Sequence, residues 1–206
     1  MPVKIKICGI TRPEDSEKAA EYGADAIGMI LSPEDKGIYF ARYIDKDKAM
    51  EIVNSVPDRV RKVGVFINEE PEKINQLVEW LDLDFVQLHG EEKPEDFGKI
   101  NCDIIKVIKV SGPLDLEGLH DLKVQGILFD RIKGRSEETL NFEVFKNIQL
   151  KTPWFLAGGL NPNNVAEAIH AVYPDWVDVS SGVELSTKGE KDIDKIKLFI
   201  DAARNA

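Results

Sequence analysis

The sequence predicts an α/β fold, a single (β/α)8 TIM barrel of parallel strands over residues 1–206, and three observations lead there. Short β-branched runs alternate with amphipathic stretches along the whole chain, without a linker or low-complexity segment between them. Eight such strand-then-helix units follow one another. The length of 206 residues suits one barrel core and leaves little for a second domain.

The strands are expected at Val3 to Ile7, Ala26 to Leu31, Val60 to Ile67, Phe85 to Leu88, Ile104 to Val110, Gly126 to Phe129, Trp154 to Leu156 and Val177 to Val179. Between them lie helical periods. Glu70 to Leu81 places Ile74, Leu77, Val78 and Leu81 on one face, and Asp192 to Arg204 does the same with Ile196, Phe199, Ile200 and Ala203. The competing architecture is an open doubly wound sheet. It calls for G-x-G-x-x-G after the first strand, where this chain has Cys8-Gly9-Ile10-Thr11.

Composition narrows the function. A net charge of -10 disfavours nucleic acid as a partner, and no apolar run approaches the roughly 20 residues of a membrane span. The first residues, Met1-Pro2-Val3-Lys4-Ile5-Lys6, alternate charge with apolar side chains and read as a first strand in a cytoplasmic protein. Two cysteines make no disulfide framework and have no metal-ligand spacing, so neither metal nor cofactor is expected. Cys102 precedes a strand, at the pole opposite the chemistry, and reads as structural.

In a TIM barrel the reactive groups gather at the C-terminal strand ends, here Cys8, Asn68, His89, Lys109, Asp130, Gly158, Gly159, Ser180 and Ser181. Side chains alternate faces with period two, so Lys4, Lys6 and Cys8 point to the barrel axis, as do Gln87 and His89, and Asp178 and Ser180. First and last strands are neighbours in a closed barrel, which lets Lys6 pair with Asp178. That pair reads equally as a structural plug and as support for the site. Lys6 is expected roughly 7 Å from Cys8, favouring a thiolate near neutral pH. For Cys8 a buried apolar role competes with that of a base, and its place before Gly9 favours the base. Asp130 ends an apolar strand, as a reactive acid or as a cap for the next turn. His89 is open between a positioning role and a structural one.

Two further loops suggest phosphate. Ala157-Gly158-Gly159-Leu160-Asn161-Pro162 follows the seventh strand, and Ser180-Ser181-Gly182-Val183-Glu184 follows the eighth. Glycines let backbone N–H groups approach an anion, and this pair of barrel loops frequently holds phosphate. The residues alone reach an enzyme acting on a small phosphorylated molecule.

Lys6-Ile7-Cys8-Gly9-Ile10-Thr11, Arg42-Tyr43-Ile44, Val63-Gly64-Val65-Phe66-Ile67-Asn68, Val86-Gln87-Leu88-His89-Gly90, the Gly158 loop, and Val177-Asp178 through Glu184 occur in that order. Together they resemble the phosphoribosylanthranilate isomerase family of tryptophan biosynthesis. The resemblance implies an Amadori rearrangement of N-(5-phosphoribosyl)anthranilate, with Cys8 as general base and Asp130 as general acid. It further implies Arg42 at the anthranilate end, His89 and Asp178 at the substrate, and Gly158, Gly159, Ser180, Ser181 and Gly182 around the phosphate. A phosphosugar is then the partner, with the chain a monomer or a homodimer.

The resemblance weakens after Asp130. The family carries a glycine-rich loop with a lysine there, whereas this chain has Gly134-Arg135-Ser136-Glu137-Glu138-Thr139-Leu140-Asn141-Phe142. Arg135 and Glu137 replace glycines and Glu138 replaces the lysine, which puts lid closure in question. Two alternatives therefore stand: isomerisation of a related phosphoribosyl compound, and a non-catalytic phosphosugar-binding barrel.

Overall fold

Alternation of apolar and polar positions along short runs builds the strands that the computed structural model contains. It describes residues 2–33, 40–110, 117–131, 142–145, 148 and 150–206. The strands are β1 Lys4–Cys8, β2 Ala26–Ile30, β3 Arg61–Phe66, β4 Phe85–Leu88, β5 Asp103–Val110, β6 Gly126–Arg131, β7 Trp154–Leu156 and β8 Trp176–Val179. All pair in parallel in chain order, and β1 closes on β8. This is the expected (β/α)8 barrel.

Boundaries moved by one or two residues. The largest change is at β6, which continues through Asp130 to Arg131, with Lys109 of β5 opposite Asp130. The backbone of Asp130 is therefore held by the sheet.

The helices are α1 Pro13–Tyr22, α2 Lys46–Ser55, α3 Pro71–Leu81, α4 Pro94–Phe97, α5 Glu117–His120, α6 Val165–Val172 and α7 Ile193–Arg204. Glu70 and Asp192, expected inside helices, are extended N-caps; the Asp192 carboxylate accepts from the N–H groups of Asp194 and Lys195. Pro begins α1, α3 and α4, where its missing N–H costs nothing. Between β6 and β7 the described residues hold a 3-10 turn, Phe142–Phe145, whose Phe145 ring stacks on Trp154.

Period-two alternation sorts the core into two layers. Ile5, Ile7, Val86, Leu88, Val177 and Val179 face the helices. Ala26, Val63, Ile105, Val107, Leu128, Phe155 and Trp176 fill the barrel interior from below, with Phe155 and Trp176 stacked at 4.9 Å. Above them lies a small cluster of Cys8, Ile30 and Val65. The interior thus changes from apolar to reactive toward the C-terminal strand ends. Among the described residues, no helix is long and apolar enough to cross a membrane.

Candidate active site

The site begins with a buried ion pair. Lys6 and Asp178 occupy matching positions of β1 and β8, and Lys6 Nζ donates to Asp178 Oδ1 at 2.8 Å. Lys6 is fully buried, so Asp178 is what holds its charge in the barrel. The lysine chain carries its ammonium toward the sulfur of Cys8, whose titration it pulls down. Gly28 on β2 makes room for that meeting. A Cβ there would lie 2.8 Å from Cys8 Sγ and 3.1 Å from Lys6 Nζ.

The charge state of Cys8 corrects the sequence expectation. Burial pushes the thiol up, against the pull of Lys6; Asp178 pushes it up further, and Lys191 pulls it down. Lys6 does not set a neutral-pH thiolate, because burial outweighs its pull and Asp178 opposes it.

Across the mouth, Gln87 and His89 point inward from β4 as parity requires. Gln87 Nε2 is 3.3 Å from His89 Nδ1, and His89 Nε2 is 3.6 Å from Asp130 Oδ2. His89 therefore lies between Gln87 of β4 and the carboxyl of β6. Lys109 turns to the rim and meets Glu91 at 3.1 Å. Asn68, with φ 50°, accepts from the Glu91 N–H and serves the loop. Cys102 contacts the Leu83 carbonyl far from this mouth, and half-burial pushes it up to about 11.

The two glycine and serine loops meet at the rim. Gly158 and Gly159 have φ of 92° and 89°, a left-handed backbone that glycine adopts without strain. Asparagines pin this loop: Asn161 N–H donates to Asn164 Oδ1 at 2.8 Å, and Asn164 Nδ2 donates to the Gly159 carbonyl at 3.1 Å. Gly182 packs so closely on the Leu160 carbonyl that no Cβ fits. Together these loops form one wall of a cavity also lined by Cys8, Arg42, Gln87, His89, Asp130 and Asp178.

Arg42 enters from a 3-10 turn after β2, Phe40–Arg42, which a bridge between Ile30 and Tyr43 ties to the strand end. Its guanidinium makes a forked pair with Glu184, Nε to Oε1 at 2.6 Å and Nη2 to Oε2 at 2.7 Å. Lys191 shares that carboxylate at 3.2 Å. Arg42 and Lys191 together hold the Glu184 carboxyl below its usual range against the opposing effect of burial. The sequence reading missed Glu184 and Lys191 as charge partners. Among the described residues, no group of three or more His, Cys, Asp or Glu is placed to hold a metal ion. The divergent loop after Asp130 lies outside the described residues, apart from the backbone of Phe142.

A closed parallel barrel with a thiol, carboxyls and an arginine gathered over the C-terminal strand ends defines a TIM-barrel enzyme. The model of the N-(5'-phosphoribosyl)anthranilate (PRA) isomerase family matches residues 5–202. The chain belongs to this family of aldose-ketose isomerases. It is 41% identical to the N-(5'-phosphoribosyl)anthranilate isomerase of Trichlorobacter lovleyi, with 99% of each chain covered. The crystal structure of phosphoribosyl anthranilate isomerase from Thermotoga maritima superposes with a TM-score of 0.87 at 40% identity, covering 99% of this chain and 100% of that one. Another solved phosphoribosyl anthranilate isomerase, in complex with reduced 1-(o-carboxyphenylamino)-1-deoxyribulose 5-phosphate, has a TM-score of 0.83 and 41% identity, with the same coverage.

Proposed function

We propose that residues 1–206 act as one catalytic barrel in tryptophan biosynthesis, rearranging N-(5-phospho-β-D-ribosyl)anthranilate to 1-(2-carboxyphenylamino)-1-deoxy-D-ribulose 5-phosphate. The observation that carries this reading is the joint lining of one cavity by Cys8, Asp130, Arg42 and both rim loops, in a chain of this family.

The rim loops of β7 and β8, with Gly158, Gly159, Ser180, Ser181 and Gly182, take the phosphate. Arg42, oriented by Glu184, meets the anthranilate carboxylate. Asp130 then gives its proton to the furanose ring oxygen, the bond from that oxygen to C1 breaks, and the nitrogen lone pair forms a protonated Schiff base. The Cys8 thiolate takes the proton from C2, and that electron pair makes the C1=C2 bond as the iminium becomes an amine. Transfer of the C2 hydroxyl proton to C1 completes the aminoketone. Asp178 holds Lys6 beside the thiol, and His89 fixes Asp130.

The test is direct turnover, followed by the fluorescence of N-(5-phosphoribosyl)anthranilate as it is consumed. Cys8→Ser and Asp130→Asn are each expected to lower kcat by about 10² to 10⁴, with the fold retained. Binding of the compound without turnover by the wild-type protein would sink the catalytic reading in favour of a phosphosugar-binding barrel.

A further inference from the structure

The chain doubles back on itself between β8 and α7. Glu184 and Lys191 pair across an antiparallel bridge, the Leu185 N–H donates to the Glu190 carbonyl at 3.0 Å, and the Asp192 N–H donates to the Val183 carbonyl at 2.9 Å. Residues 183–192 thus form a hairpin. Its base carries Glu184, whose carboxylate forks onto Arg42 at 2.6 and 2.7 Å.

A second set of contacts fixes this hairpin to the loops after β1 and β2. Thr11 Oγ1 donates to the Gly189 carbonyl at 2.6 Å. Asp15, buried in the first turn of α1, accepts from the Lys191 N–H at 3.2 Å, and Arg12 donates to the Lys191 carbonyl at 3.1 Å. Arg12 in turn forks onto Asp15 at 3.0 and 2.7 Å, so one ion pair holds both backbone polar groups of residue 191. Gly189, with φ 90°, lies so close to the turn after β2 that an added Cβ would stand 2.5 Å from the Ala41 carbonyl oxygen. Ala41 directly precedes Arg42 within that turn. The hairpin therefore reaches Arg42 by two routes, through the Glu184 side chain and through the backbone beside it.

A guanidinium recognises a carboxylate by a planar, forked geometry, and a misplacement of about 1 Å is enough to weaken such a contact severely. We propose that the 183–192 hairpin is a positioning clasp for Arg42: Thr11, Arg12, Asp15 and Gly189, none of which lines the cavity, set the place of the arginine and with it the affinity for an aromatic carboxylate. This rests on the reading of Arg42 as the contact for the anthranilate carboxylate. The phosphate loops have an anchor of their own, because Gly182 packs on the Leu160 carbonyl and asparagines pin the Gly158 loop.

The experiment measures KM for N-(5-phosphoribosyl)anthranilate and the inhibition of turnover by inorganic phosphate in Gly189→Ala and Thr11→Val, each alone and combined with Arg42→Ala. Both single variants are expected to raise KM by about tenfold and to leave phosphate inhibition within about twofold of wild type. Thr11→Ser, which keeps the hydroxyl, restores KM. Combined with Arg42→Ala, neither change raises KM further, because its effect passes through the arginine. A lowered thermal midpoint with unchanged KM would mean a merely structural hairpin and overturn the proposal. So would a KM effect that persists in full without Arg42, or phosphate inhibition that weakens in step with KM. Should Gly189→Ala not fold, the Thr11 series decides. Unchanged KM in Arg42→Ala alone would instead strike the assigned role of Arg42, and the clasp with it. If the wild-type protein does not turn the compound over, its fluorescence at equilibrium gives Kd in place of KM, so failure of the catalytic reading leaves the clasp tested.

Discussion

Lys6 and Asp178 meet at 2.8 Å across the seam where the first and last strands close the barrel, and the same ammonium group pulls the titration of the Cys8 thiol down. The seam of the barrel and the charge environment of the proposed base thus share one contact.

Removing one partner leaves the other charged and buried. Asp178→Asn is expected to cost about 3–5 kcal/mol in urea denaturation. It also lowers the pH at which Cys8 alkylates, since Asp178 pushes the thiol up. Lys6→Met raises that pH. Shifts of the same sign in the two variants would refute the assignment.

Gly28 is the space in which thiol and ammonium meet, so Gly28→Ala forces Cys8 Sγ or Lys6 Nζ to move. Overpacking of this kind costs about 1–3 kcal/mol, and a large fall in kcat should accompany it. Gly98→Ala, where an added Cβ meets nothing within 4 Å, is the control with little effect on either. Unchanged kcat in Gly28→Ala would show that this packing does not matter to the chemistry.

Gly182→Ala pushes the two rim loops apart at the Leu160 carbonyl. With the phosphate held there, inhibition by inorganic phosphate should weaken and KM rise about tenfold or more, with a smaller change in kcat. Inhibition equal to wild type would move the phosphate elsewhere.

Two limbs of the stability profile have worked signs. Glu184 is held below its ordinary 4.5, so its contribution is present above that value and is lost as pH falls through the lowered one. Glu184→Gln should flatten this acid loss of thermal midpoint. Cys102 is raised from 9.0 to about 11, so the folded chain keeps a proton that the unfolded chain releases. Stability contributed by Cys102 is therefore lost as pH rises between those values, and Cys102→Ala should lessen the decline. Parallel profiles for variant and wild type would contradict either assignment.

Much of this was legible in the chain. Period-two counting turned Lys6, Gln87, His89 and Asp178 inward correctly, because a pleated strand leaves each side chain one face. The glycine and serine loops were visible because tight turns and close backbone approach restrict residue choice. The β6 end was misplaced because strand length beyond an apolar run depends on its neighbour, here Lys109 opposite Asp130.

The sequence by itself determined the alternation of eight units, the inward faces that let Lys6 pair with Asp178, and the places of Cys8 and Asp130 toward the C-terminal ends of their strands. Each follows from local period plus barrel closure. Only the tertiary structure decided that burial pushes Cys8 up, that Gly28 admits the lysine to the thiol, and that Arg42 shares Glu184 with Lys191. Desolvation and charge balance are sums over everything packed around a group, and Arg42 lies too far along the chain from Glu184 and Lys191 for any spacing rule to unite them.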